Sequence, residues 1–191
     1  MGVKKMRTFI AIPLTAECRR VLSEMQAALR ESVSDVRWTA ISSIHITLKF
    51  LGEINPALLP DLSQALRSSA VAERFTLSLD GLGVFPDLRR PRVIWCGLGG
   101  NLTALSALQA EVERACVRTG LAPEDRPFKP HLTLGRVQGR RNLPPAIDYI
   151  RIAATCGCEF EVARYCIYRS TLTPRGAVYD VMDAVELGAH S

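Results

Sequence analysis

The sequence writes one arrangement twice. A short apolar run (RTFIAI, 7–12), a helical stretch and a strand carrying His45-Ile46-Thr47-Leu48 occupy the first part of the chain. A second apolar run (RVIWCGL, 92–98), a second helical stretch and a strand carrying His131-Leu132-Thr133-Leu134 follow. Two of the only three histidines sit in this repeated phrase. An internal duplication places the two His-x-Thr strands at equivalent positions of two lobes, and this restricts the architecture more than composition does.

The remaining elements follow from periodicity and turn chemistry. Pro13 closes the first strand. From Thr15 to about Val33, residues Val21, Leu22, Met25, Ala28 and Leu29 fall on one helical face, with Thr15 as cap. Segments 36–39 and 45–52 read as strands, and Asn55-Pro56 opens a helix carrying Leu58, Leu59, Leu62, Ala65 and Leu66. FTLSL (75–79) alternates as a strand does, 80–91 reads as a loop, and Asn101 caps a helix that Gly120 stops. Residues 121–130 read as irregular and 131–137 as a strand. A proline-rich loop (142–145), a short helix near 146–154 and three closing strands (EFEV, RYCIYRSTL, AVYDVMDAVEL) complete the reading. Strands interleaved with helices also suit a parallel doubly wound sheet, but no glycine-rich phosphate loop follows any strand.

Side chains alternate along a strand, so His45, Thr47 and Lys49 are expected on one face with Ile46, Leu48 and Phe50 opposite. His131 and Thr133 share a face in the second copy. Two imidazoles brought face to face supply a general base and a general acid near neutral pH. Hydroxyls beside them can donate to phosphoryl oxygens and stabilise charge building at phosphorus. Such a set runs an in-line displacement without a metal, and the two histidines have no third ligand at plausible spacing. No G-x-S-x-G elbow supports a serine hydrolase, and no Walker motif supports an ATP-dependent reaction.

A chain of 191 residues, 48% apolar, is long enough to bury its own core, and we expect one domain over 1–191. The apolar runs are too short to span a bilayer, and the basic MGVKKMR lacks the uninterrupted apolar stretch of a signal peptide. A monomer in the cytoplasm, away from membranes, is expected. The six cysteines lack CxxC spacing and read as reduced core thiols. A net charge of +5 leans toward anionic partners such as nucleic acid, while Arg89, Arg90, Arg92 and Arg140-Arg141 read first as solvated loops. Phe9, Phe128 and Tyr168 are candidates for stacking on an RNA base, or core residues.

The chain resembles the 2H phosphoesterase superfamily, and within it the RNA 2′,3′-cyclic phosphodiesterases once called 2′-5′ RNA ligases. The resemblance rests on RTFIAIPL, SIHITLKFLGE, GLGVFPDLRRPRVIWCGL, RPFKPHLTLGR and RYCIYRSTLTPRGAVY. It implies a bilobal α+β fold of the LigT type, with two antiparallel sheets around a central cleft related by a pseudo-twofold axis and helices outside. It further implies hydrolysis of a terminal 2′,3′-cyclic phosphate on RNA to a 2′-phosphate, without cofactor, and the reverse ATP-independent ligation. Carried over, His45 is the proton donor to the leaving group and His131 the proton acceptor that activates water, while Thr47 and Thr133 hold the phosphate. Arg136 is a candidate substrate contact; strict alternation turns it away from His131, and a bulge at Gly135 would re-aim it. The alternatives are a relative acting on another nucleotide, such as 2′-5′ oligoadenylate, and a nucleotide-binding module that has lost catalysis.

Overall fold

The computed structural model describes residues 4–69, 73–138, 158–174 and 176–188. The elements run β1 (Met6–Pro13), α1 (Ala16–Ser32), β2 (Val36–Trp38), β3 (His45–Ile54), α2 (Leu59–Ser69), β4 (Phe75–Phe85), β5 (Val93–Gly100), α3 (Leu102–Arg118), β6 (Leu132–Val137), β7 (Glu159–Val162), β8 (Arg164–Thr173) and β9 (Gly176–Glu186). They form two sheets, ordered β3-β1-β8-β9 and β2-β6-β5-β4-β7. Every strand pairing within them is antiparallel, which discards the doubly wound alternative.

The duplication is visible in the strand order. In the first sheet the His45 strand lies beside β1, the strand that leads into α1. In the second, β6 lies beside β5, the strand that leads into α3. Each helix then covers the other sheet. Gln26 of α1 is buried and its Nε2 donates to the Thr39 and Leu134 carbonyls, both at 2.8 Å. On the first sheet, Tyr165 of β8 donates to the Leu66 carbonyl of α2, and Lys49 of β3 donates to Glu113 of α3. One continuous apolar cluster joins the helices to both sheets, including Ile10, Ile12, Ile46, Leu132 and Leu134.

The expected caps form. Thr15 accepts from the Cys18 N–H and Asn101 from the Ala104 N–H, each relieving an unpaired donor at a helix start. Gly120 takes a φ of 84° just past α3 and ends it. Asn55-Pro56 opens a 3₁₀ turn (Pro56–Leu58), and α2 begins at Leu59.

One expected loop is a strand. β4 continues from the alternating FTLSL through Gly81 to Phe85, with an extra residue between Asp80 and Leu82 where Gly81 has φ 65°. The glycines that suggest a turn serve the strand here: Gly81 permits the bulge, and a Cβ on Gly83 would stand 2.1 Å from the Trp95 ring. The proline-rich loop, the helix expected near 146–154, Arg140, Arg141 and Cys156 lie outside the described residues. The five described cysteines are buried free thiols, with Cys18 Sγ and Cys158 Sγ 3.0 Å apart. Among the described residues no helix is long and apolar enough to cross a membrane.

Candidate active site

The two His-x-Thr phrases are built alike down to the hydrogen atom. His45 Nδ1 lies 2.8 Å from the carbonyl of Ser43, and His131 Nδ1 lies 2.7 Å from the carbonyl of Lys129, each two residues back. A carbonyl only accepts, so Nδ1 carries the hydrogen in both rings, leaving Nε2 as the nitrogen able to take or give a further proton. Thr47 sits opposite Ala11 of β1, and Thr133 opposite Trp95 of β5. Thr47 and His131 line one pocket of about 310 Å³, together with Phe50, Phe85, Gln109 and Phe128. Residues of the two motifs therefore meet in one cleft.

Both motifs also share a bulge, at the leucine that ends each phrase. On β3, Thr47 pairs with Ala11 and Lys49 with Ile10, so Leu48 is an extra residue. On β6, Thr133 pairs with Trp95 and Gly135 with Ile94, so Leu134 is extra. Two consecutive residues then face the helices in each strand. In β3 these are Leu48 and Lys49, and Phe50 returns to the face of Phe9. The expectation that Lys49 shares a face with His45 and Thr47 is thereby corrected: its side chain is 3% exposed and its Nζ donates to both Glu113 oxygens and to the Ala122 carbonyl. In β6 the pair is Leu134 and Gly135, the latter against Val36 and Trp38 beneath α1. Arg136 pairs with Val93 and Arg37, and by this register returns to the face of Thr133.

Aromatic rings enclose each imidazole. His45 stacks on Phe9 with centroids 4.7 Å apart, and Tyr179 meets it edge-on at 5.3 Å. Tyr168 also stacks on Phe9 at 5.1 Å and lies 6.2 Å from the His45 ring. Phe9 is only 3% exposed, so of its two expected roles it takes the core one. His131 is held edge-on by Phe85 at 5.1 Å, and Phe85 stacks on Trp95. Sequence reading missed Phe85, Trp95 and Tyr179. The alternation of Phe85 with Gly83, and of Trp95 with Val93, was the available signal once β4 is seen to extend past Gly81.

Burial pushes the His45 imidazole down to about 4; the Ser43 carbonyl opposes this by favouring the charged form, and the nearby charge of His131 adds to the depression. In the free protein His45 is therefore neutral at pH 7. Among the described residues there is no group of three or more His, Cys, Asp or Glu that could hold a metal ion. His190 lies outside the described residues.

Comparison with known proteins gives one answer. The family model described as "LigT like Phosphoesterase" matches residues 12–95 and 101–179. An Aeropyrum pernix protein named RNA 2′,3′-cyclic phosphodiesterase is 35% identical over 84% of this chain and 93% of its own length. A Methanothermobacter thermautotrophicus protein of the same name is 33% identical over 96% of this chain and 100% of its own. The crystal structure of Escherichia coli LigT complexed with 3′-AMP superposes with a TM-score of 0.77 at 28% identity, covering 96% of this chain and 99% of that one. The paired His-x-Thr strands, the antiparallel sheets and these matches agree, and the chain belongs to the LigT-like phosphoesterase family.

Proposed function

We propose that this protein hydrolyses the 2′,3′-cyclic phosphate at RNA ends to a 2′-phosphate, without a metal or other cofactor, as a monomer in the cytoplasm. The observation that carries the reading is the matched pair of imidazoles, each fixed through Nδ1 and each left with Nε2 for proton transfer. The name shared by the Aeropyrum and Methanothermobacter relatives supports the substrate.

In this reading His131 takes a proton from water as its oxygen attacks phosphorus. The P–O3′ bond breaks, and His45 gives its proton to the departing 3′ oxygen, leaving a 2′-phosphate and a 3′-hydroxyl. Thr47 and Thr133 donate hydrogen bonds to the non-bridging oxygens, and Arg136 offsets their charge. Because His45 is neutral in the free protein at pH 7, it gains its proton as substrate binds: a diester anion beside a desolvated imidazole favours the imidazolium. With a 5′-hydroxyl in place of water, the same transfers join the cyclic phosphate to a second RNA through a 2′-5′ bond, again breaking P–O3′ and protonating the 3′ oxygen. The strained ester is already activated, so no ATP is consumed.

The test is digestion of an RNA oligonucleotide ending in a 2′,3′-cyclic phosphate, in excess chelator, with the product isomer identified chromatographically. The expected product is the 2′-phosphate at an undiminished rate. A 3′-phosphate would mean that the ribose binds the other way round. Loss of activity in chelator, restored by a divalent ion, would overturn the two-imidazole mechanism. Turnover of 2′-5′ oligoadenylate with none of the cyclic phosphate would move the protein to the other substrate class.

A further inference from the structure

Three cavities adjoin along the first sheet. The pocket lined by Thr47 and His131 also has Phe50 in its wall. Phe50 also lines a second pocket of about 170 Å³, with Arg7, Phe9 and Glu53. Arg7 and Glu53 in turn line a third, of about 450 Å³, with Lys4, Lys5 and Arg169. Shared lining residues thus make the three neighbours, in order from the cleft to the start of β1. Ala11 stands opposite Thr47, and Arg7 lies four residues along the same strand, a separation of about 13 Å at the usual strand rise.

This row is basic where it leaves the cleft. Lys4, Lys5 and Arg7 are exposed and have no ion-pair partner among the described residues. Arg169 is committed to Asp180 at 2.8 Å, and Glu53, opposite Arg7, is the one carboxylate among the described residues that lines the second and third pockets. Phe50 stands at the junction, 59% exposed, a large apolar ring held outward by the bulge at Leu48. Unpaired cations beyond an exposed aromatic are what a single-stranded nucleic acid requires, since cations track the backbone and a ring stacks on a base.

The geometry points to a binding track for the RNA chain on the 5′ side of the reacting end, with Phe50 stacking on a base and Lys4, Lys5 and Arg7 contacting successive phosphates. This rests on the activity proposed above and adds what distinguishes an RNA end from a lone cyclic nucleotide. The cleft serves the cyclic phosphate of both substrates, whereas the track touches only a substrate with a tail.

The experiment compares a mononucleoside 2′,3′-cyclic phosphate with an oligoribonucleotide ending in the same group, using the full chain and the variant Lys4→Glu/Lys5→Glu/Arg7→Glu. On the oligonucleotide the variant should lose roughly tenfold or more in kcat/KM, mostly through KM, and its salt dependence should flatten by about 0.7 in log–log slope per lost contact. On the mononucleotide the two proteins should be equal. Glu53→Gln should lower KM for the oligonucleotide alone. Equal losses on both substrates, or no loss on the oligonucleotide, would overturn the track. If the full chain hydrolyses neither substrate, the proposed activity fails, and the track is read separately by anisotropy of a labelled, 3′-phosphate-ended oligonucleotide. Binding that the triple variant weakens supports the track, and binding that it leaves unchanged rejects it.

Discussion

The imidazole of His45 lies on the ring of Phe9, with centroids 4.7 Å apart and planes 25° from parallel. The stack takes one face of the imidazole out of water, and burial is the first cause of its fall to about 4. The acidic limb of kcat/KM is therefore expected near pH 4, well below the ordinary imidazole range. If the diester recharges His45, the acidic limb of kcat should lie at higher pH than that of kcat/KM. The limbs belong to the coupled pair, so the comparison tests recharging and does not assign the acid. Coincident limbs near the ordinary value would contradict both the burial and the recharging.

The same burial predicts how stability varies with pH. His45 has a folded value of about 4 against an ordinary 6.5, so between these the unfolded chain binds a proton that the folded chain does not. Stability rises with pH through this window and falls as the solution is acidified from 6.5 to 4, by about 3 kcal/mol in full. His45→Gln cannot titrate and should lose less on acidification. Urea unfolding of both proteins at pH 7.5 and 4.5 measures the difference; parallel losses would remove His45 as its source.

Replacing either His45 or His131 with Ala should lower turnover by roughly 10²–10⁴, the usual worth of one general acid or base. Thr47→Ala and Thr133→Ala should each cost a few kcal/mol at most in transition-state stabilisation, on the order of one lost donor. His190→Ala, outside both phrases, should leave kcat/KM unchanged. Single-turnover rates on the cyclic-phosphate RNA decide this, and full activity without His45 would end the assignment.

The strand and helix order, the caps at Thr15 and Asn101 and the pairing of the two histidines were legible because each rests on local chemistry. The face of Lys49 was not. Leu48 reads as an ordinary apolar alternate, and nothing in HITLKF announces that the strand gains a residue there. The bulge shows only in the register, where Lys49 meets Ile10 and not the residue that alternation assigns. The extent of β4 failed for the opposite reason, since glycines that serve a bulge and make room for Trp95 look like turn residues. Phe85 beside His131 was lost with it. A bulge at Gly135 was conceivable from sequence, because glycine permits one, but its occurrence at the leucine of both motifs belongs to the pairing of whole strands.

That bulge sends Lys49 to a site where the two halves of the chain are tied together. Its Nζ donates to Glu113 at 2.6 and 2.8 Å and to the Ala122 carbonyl at 3.0 Å, and Glu113 also accepts from the Glu124 N–H. The strand of His45 is thus pinned to α3 and to the segment leading into His131. Glu113→Ala would leave an ammonium with 3% side-chain exposure lacking its carboxylate, which should cost about 3–5 kcal/mol. Lys49→Met/Glu113→Leu removes both charges and should recover most of that stability, since desolvation no longer has to be offset. It does not restore the hydrogen bonds to Ala122 and Glu124, so the segment before His131 is left less firmly held. The double variant should therefore unfold at nearly the wild-type denaturant concentration yet show a lower kcat. Urea midpoints and turnover measured on the same preparations test this, and recovery of both would reduce the ion pair to a packing element without influence on the second histidine.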